Sequence, residues 1–168
     1  YDSFNRLLSV GEYFNTSTYT TSYLWSLVGN LLKITDSEGN IRNFTYDGLS
    51  HRLTAEDLHR PFDRVFGTWT YRYDNNGNLY TSLSPNNITT TYTYDALNRV
   101  LTEDADSTAA IDITYTYDSC TNGIGTLCSA TVSDGSTITS NNYDALGNIS
   151  DETKTINTTS YNTSYTYD

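Results

Sequence analysis

The dipeptide Tyr-Asp returns at near-regular intervals along all 168 residues, and this periodicity constrains the fold more than any other feature. It stands at Tyr1-Asp2, Tyr46-Asp47, Tyr73-Asp74, Tyr94-Asp95, Tyr117-Asp118, Tyr143-Asp144 and Tyr167-Asp168. The first interval is twice as long as the others. Inside it, Trp25-Ser26-Leu27-Val28-Gly29-Asn30-Leu31 aligns with Tyr73-Asp74-Asn75-Asn76-Gly77-Asn78-Leu79, so Trp25 takes the place of a Tyr. The mean spacing is then about 24 residues. At such a period one supersecondary unit repeats and shares its buried surface with its neighbours.

Every unit follows the same grammar. Ahead of the dipeptide, apolar and polar residues alternate, as in Ile111 to Asp118, Trp69 to Tyr73 and Tyr92 to Tyr94. A period of two marks a strand with one face buried. A turn signal follows the dipeptide: Gly29-Asn30, Gly77-Asn78, Asn98-Arg99 or Gly147-Asn148. A second apolar segment comes next, such as Leu31 to Ile34 or Val100-Leu101. Another turn signal closes the unit: Glu38-Gly39-Asn40, Ser84-Pro85-Asn86-Asn87 or Asp134-Gly135. Two strands of ordinary length and two turns fill about 24 residues, so each repeat is a β-hairpin.

The two motif residues have separate roles. A strand-end Asp accepts hydrogen bonds from backbone N–H groups two residues on. The Tyr supplies a large ring whose hydroxyl reaches a polar rim. Equivalent strands lie two sheet spacings apart, about 9.6 Å, which is too far for direct ring stacking. The intervening strand therefore offers Leu31, Leu79, Leu101 or Ile149 as a spacer, giving a Tyr–aliphatic–Tyr stripe. The expected fold is all-β, with tandem antiparallel hairpins in one large curled or spiralling sheet. It forms a single array of about seven repeats over residues 1–168. Because the motif opens and closes the sequence, the array reads as a fragment of a longer repeat region.

Composition limits the partners. Hydrophobic residues make up 36% of the chain, with 16 Tyr, while Ser, Thr and Asn fill most of the rest. That is too little for an ordinary closed core, and it favours half-buried pleated surfaces. The formal net charge of −11, with nine scattered basic residues, argues against nucleic acid and anionic membrane. No apolar run approaches the roughly 20 residues of a membrane span.

The unit Tyr-Asp-x-x-Gly-Asn-Leu, with Tyr94-Asp95-Ala96-Leu97-Asn98-Arg99-Val100 as a second close copy, resembles the YD repeat of the Rhs family. That family takes in Rhs polymorphic toxins, toxin-complex shell components, wall-associated proteins and teneurins. The segment from Tyr117 to Cys128 is similar to a recurrent bacterial version of the unit. The resemblance covers essentially the whole chain. It implies a spiralling antiparallel sheet that builds a hollow shell, often around a toxic C-terminal segment. The terminal core of that family, with its aspartyl self-cleavage, has no counterpart in these residues. No catalytic residue carries over, and no enzyme activity or cofactor is expected.

Few other residues form a pattern that carries chemistry. Cys120 and Cys128 flank the turn-rich Asn122-Gly123-Ile124-Gly125. Placed across a hairpin they approach closely enough for a disulfide; the alternative is two free thiols. His51 and His59 have no Cys spacing that would make a metal site. The acids Glu103-Asp104-Ala105-Asp106 and Asp151-Glu152 lack the Asp-x-Asp-x-Asp-Gly calcium loop, so they read as solvated charge. Ala55 to Arg64 gathers His, Arg and acids in the longest repeat and reads as an expanded loop rather than a catalytic one. Asn-x-Ser/Thr sequons stand at Asn15, Asn43, Asn87, Asn148, Asn157 and Asn162.

Two functions remain in competition. One is the wall of an extracellular β-shell that encapsulates a toxin segment. The other is a building block of an extracellular fibre, tube or adhesive cell-surface layer without payload. A carbohydrate-binding surface of exposed Tyr and Asn is a weaker third. In every case the expected partners are further repeats of the same chain or identical neighbouring subunits. The stretch from Thr158 to Tyr167 carries no proline and no charge, the profile of a strand made to be paired.

Overall fold

A computed structural model describes residues 1–105, 111–133 and 136–168. Asp106 of the first acidic cluster and the turn signal Asp134-Gly135 lie outside these. Among the described residues there is no helix, and fourteen strands form. All pairing is antiparallel and the strands lie in chain order. The fold is therefore all-β, built of tandem hairpins.

The chain divides into two compact units, Tyr1–Ile88 and Thr89–Asp168. The first holds β1 (Ser9–Phe14), β2 (Ser17–Trp25), β3 (Leu31–Thr35) and β4 (Ile41–Tyr46). It continues with β5 (Arg52–Glu56), β6 (Thr68–Tyr73) and β7 (Leu79–Leu83). The second begins with β8 (Thr89–Tyr94), β9 (Val100–Asp104), β10 (Ile113–Tyr117) and β11 (Leu127–Val132). It ends with β12 (Thr137–Tyr143), β13 (Ile149–Ile156) and β14 (Thr159–Ser164).

Alternation sorts each strand into two faces, because successive side chains leave a pleated backbone on opposite sides. On one face of the first unit Tyr23 stands opposite Ile34, and Phe44 opposite Ala55, which faces Trp69. On the corresponding face of the second unit Tyr115 stands opposite Ala130. The other face is a ladder of hydroxyls. Thr45 and Thr54 approach to 2.6 Å, as do Thr93 and Thr102, and Ser129 donates to Thr116 at 3.0 Å. Directly opposed Thr and Ser pairs each stabilise a sheet by about 0.2–1 kcal/mol.

No ordinary core forms. The buried apolar residues among those described are Ile41, Phe44, Ala55, Cys128, Ala130 and Tyr143, and no large side chain is fully buried. Stability must instead come from contacts passed from one hairpin to the next.

Register departs from the simple hairpin at one recurrent point. Arg72 faces Thr81, but Tyr73 faces Leu79, so Tyr80 is an extra residue in the return strand. The same shift falls immediately before Trp25, Tyr46, Tyr94, Tyr117 and Tyr143. Each is a β-bulge that sharpens strand twist where the aromatic must pack. The bulge also corrects the expected spacer: Val100, not Leu101, stands opposite Tyr94. Arg52 takes that place at Tyr46, and Leu127 takes it at Tyr117. Leu31, Leu79 and Ile149 face Trp25, Tyr73 and Tyr143 as expected.

The turn and the contacts between hairpins as candidate functional site

Each motif aromatic from Trp25 to Tyr143 ends its strand, and the residue after it opens the turn. In the copy at Asp74, its N–H donates to the Asn78 carbonyl at 2.9 Å, and Gly77 N–H returns to the Asp74 carbonyl at 3.1 Å. Asn75, Asn76 and Gly77 thus form a three-residue loop whose last member lies in the left-handed region, with φ of 84°. The same loop follows Asp2, Ser26, Asp47, Asp95 and Asp144. It also closes the opposite edge of the first unit, after Asp36 and after Ser84.

The carboxylate is fully used. Asp74 Oδ1 accepts the N–H groups of Asn76 and Asn78 at 2.9 and 2.8 Å, and Oδ2 accepts the Asn78 amide at 3.0 Å. Asp144 repeats this arrangement with Leu146 and Asn148. Asp36 does so with Glu38 and Asn40. Where the fourth residue on is basic, it takes over the second oxygen. Arg6 Nε reaches Asp2 at 2.6 Å, Arg99 Nε reaches Asp95 at 2.6 Å, and His51 Nδ1 lies 2.9 Å from Asp47.

Hydrogen bonding holds these carboxyls below the usual range. For Asp2 and Asp95 the leading cause is the backbone N–H of the following arginine. For Asp36 and Asp144 it is the asparagine amide. At Asp47 and Asp74 loss of hydration is the largest single influence and acts upward. The combined hydrogen bonds from His51 and from Asn78 with its neighbours outweigh it.

The left-handed position is held by Gly29, Gly39, Gly77 and Gly147 or by Asn5, Asn87 and Asn98, because a Cβ there crowds the following carbonyl and only glycine, or asparagine at small cost, tolerates it. In the copy after Asp47 it is Ser50, with φ of 69°. Ser50→Gly is expected to stabilise the chain by about 0.5–1 kcal/mol, less the loss of the 3.1 Å bond from Asn30 to the Ser50 hydroxyl. A urea midpoint that falls instead of rising would contradict this.

A second set of contacts ties hairpin to hairpin. Tyr73 Oη donates to the Arg52 carbonyl at 3.0 Å, Tyr143 Oη to Leu127 at 2.7 Å and Tyr167 Oη to Ile149 at 2.9 Å. Trp25 Nε1 makes the equivalent bond to Leu7 at 2.8 Å, which explains how Trp substitutes for Tyr. Arg52, Leu127 and Ile149 each open the return strand of the hairpin before, and Leu7 lies just ahead of β1. The ring of Tyr73 stacks on His51 with centroids 4.8 Å apart. Arg99 bridges two repeats: beyond Asp95 it forks onto both oxygens of Asp118, at 3.0 and 2.6 Å, with its guanidinium 4.3 Å from the Tyr117 ring centre. That fork, with Gly125 N–H, brings the Asp118 carboxyl down to about 2.

The copy at Tyr117-Asp118 is built differently. Its turn is enlarged, and Cys120 and Cys128 are joined across it with Cα atoms 5.4 Å apart. Gly123 packs so closely on the two sulfurs that no Cβ fits there. The loop then grips the next repeat: Asn122 donates to the Tyr143 carbonyl at 3.0 Å, and Tyr143 N–H to Thr121 at 3.0 Å. Closing a loop of separation 8 stabilises by at most about 2–3 kcal/mol. Non-reducing mass spectrometry of the native protein is expected to find the two cysteines linked, and reductant to lower stability within that bound. Two alkylatable thiols would reject the linkage.

The remaining candidates are dispersed. Tyr1 is exposed, whereas Asp2 takes up its turn; Asp168 is exposed. Asp151 accepts the hydroxyls of Ser150 and Ser164, and Glu152 pairs with Lys154 at 3.3 Å. Among the described residues no group of three His, Cys, Asp or Glu is arranged around a metal. His59 is buried, with Nε2 3.0 Å from Glu56.

Sequence reasoning missed the side chain four places after each turn-opening Asp. The signal was present, since Arg6, Asn40, His51, Asn78, Arg99 and Asn148 all carry an N–H or ring nitrogen there.

Comparison with known proteins agrees with this architecture. A search of curated sequences matched none. Among solved structures, a chain of the TcdB2-TccC3-Cdc42 complex is similar at 20% identity and TM-score 0.70, over 92% of this chain and 9% of that one. A chain of TcdB2-TccC3 is similar at 21% and 0.66, over 83% and 7%. One in the Photorhabdus luminescens Tc holotoxin pore is similar at 22% and 0.63, over 82% and 7%. This chain therefore spans less than a tenth of their length. The family model described as Teneurin YD-shell matches residues 1–127. The chain belongs to the Teneurin YD-shell family and is a structural shell element.

Proposed function

We propose that this chain is wall material of an extracellular β-shell enclosing a polypeptide payload, and that it performs no catalysis. The observation that carries this reading is the recurring bond from Trp25, Tyr73, Tyr143 and Tyr167 to the backbone of the hairpin before each of them. Such a bond has no use in an isolated hairpin. It propagates a wall of arbitrary length without a closed core, as in other repeat arrays. Residues 1–168 act as one array within a longer series of repeats.

The likeness to toxin-complex chains supports a payload, and the joined cysteines support an oxidising compartment. The test is limited proteolysis of the complete protein that carries this segment. A payload is expected to survive intact until the wall is unfolded, then to be cut rapidly. Equal cleavage rates before and after unfolding, or filaments without an interior by electron microscopy, would favour the payload-free fibre.

A further inference from the structure

Among the described residues, the expanded loop 57–67 stands apart from the repeat architecture. Its base is fixed. Asp57 N–H donates to the Gly67 carbonyl at 2.7 Å, and His59 exchanges two backbone bonds with Ile41. The His59 ring lies flat on Phe66, with centroids 3.8 Å apart. Gly67 has no space for a Cβ, because Asp57 and Pro85 already fill it. Asp63 caps the tip internally by accepting the Arg60 N–H at 3.0 Å.

From this rigid base the tip holds apolar side chains in water. Phe62 is 94% exposed and Val65 is 93% exposed. Arg60 and Arg64 flank them, both exposed and in no ion pair among the described residues. A braced apolar tip that also presents two exposed arginines is a docking element, since adjoining apolar groups held out in water mark an interaction site. A chain of formal charge −11 does not place two free arginines beside an exposed Phe for solubility.

The complementary surface is on the chain itself. Residues 89–168 hold eleven Asp and Glu against two basic residues, Arg99 and Lys154. Both of those are already paired, with Asp95 and Asp118 and with Glu152. The turns of that unit present Leu97, Ile124 and Leu146 at 71%, 89% and 87% exposure. We propose that loop 57–67 of one copy docks on the acidic second unit of another copy, with Phe62 and Val65 meeting these turn tips and Arg60 and Arg64 drawn by the net negative charge of that unit.

The test uses the full chain with its terminal edge blocked by Ser160→Lys and Asn162→Lys, so that strand-to-strand association does not contribute. Phe62 is replaced by the photocrosslinker p-benzoylphenylalanine, and isotopically light and heavy copies are mixed. Cross-links from position 62 are expected in residues 89–168 of the other copy. They are expected to fall about tenfold on adding Arg60→Glu and Arg64→Glu, the change given by about 1.4 kcal/mol, and to weaken in high salt. Cross-links confined to the same copy, landing in residues 1–88, absent altogether, or indifferent to charge reversal would overturn the proposal. Unchanged circular dichroism shows that the exposed substitutions leave the fold intact.

Discussion

Concentrated in solution, the 168-residue chain is expected to associate end to end through its outermost strands. Every residue of β1 and of β14 is exposed, and each strand has a paired neighbour on one side. Natural edges are blunted by proline, lysine or a bulge. β14, Thr-Ser-Tyr-Asn-Thr-Ser, has none of these and pairs with β13 without a register shift. Tyr167 beyond it already bonds to Ile149 as an interior Tyr would. Ladder hydrogen bonds left open at such an edge are satisfied by a further strand. Light scattering is expected to show a mass rising with concentration. Lysines at positions 160 and 162 are expected to weaken association at least tenfold, on the order of 1.4 kcal/mol. A compact monomer at high concentration would contradict this end-to-end pairing and count against the wall reading.

Acid is expected to loosen the turns together. Asp2, Asp36, Asp47, Asp74, Asp95, Asp118 and Asp144 all have carboxyls held below their ordinary values in the folded chain. A lowered folded pKa means that the unfolded chain takes up protons first. The stabilisation is therefore complete above the unfolded value near 3.9 and is lost as pH falls through the folded one. For Asp118 that loss extends to about 2. His59 has the opposite sign. Its pKa is raised, chiefly by the hydrogen bond to Glu56, so its contribution is complete below about 6.5 and is lost as pH rises through the folded value. Melting followed by far-UV circular dichroism is expected to be level between roughly pH 5 and 6.5, and to fall steeply from about pH 4 to 2. Asp74→Asn and Asp144→Asn should each flatten the acid limb. A profile indifferent to pH below 4 would show that the carboxylates do not hold the turns.

Much of the fold was legible because the repeat forces it. Tyr71 and Tyr73 share a face in the structure as their period-two spacing requires, and Gly77 sits where a left-handed residue closes the loop. The Asp side chain bonds two residues on, as strand-end aspartates do. The bulge before each aromatic was not legible. Leu101 and Val100 are both apolar, and nothing local says which of them faces Tyr94. The likeness between the two kinds of turn signal was not legible either. The turn after Asp36 reads as a separate closing signal, yet it is the same three-residue loop as the one after Asp74. The motif Asp is thus a loop residue first, and only its aromatic neighbour marks which edge of the sheet it serves.

By itself the sequence determined the hairpin unit, its period, the aromatic and hydroxyl faces, and the turn chemistry. These depend on residues close together in the chain, where pleat geometry and short-range hydrogen bonds leave few choices. Tertiary structure alone decided which carbonyls receive the hydroxyls of Tyr73, Tyr143 and Tyr167, and that Arg99 reaches Asp118. It also decided that the enlarged disulfide loop grips Tyr143, and that His59 folds back against Ile41. Those partners lie about 16 to 21 residues apart in the chain. Their meeting is set by strand register and by the bulge, through the backbone twist of a whole hairpin, and not by any one side chain's preference.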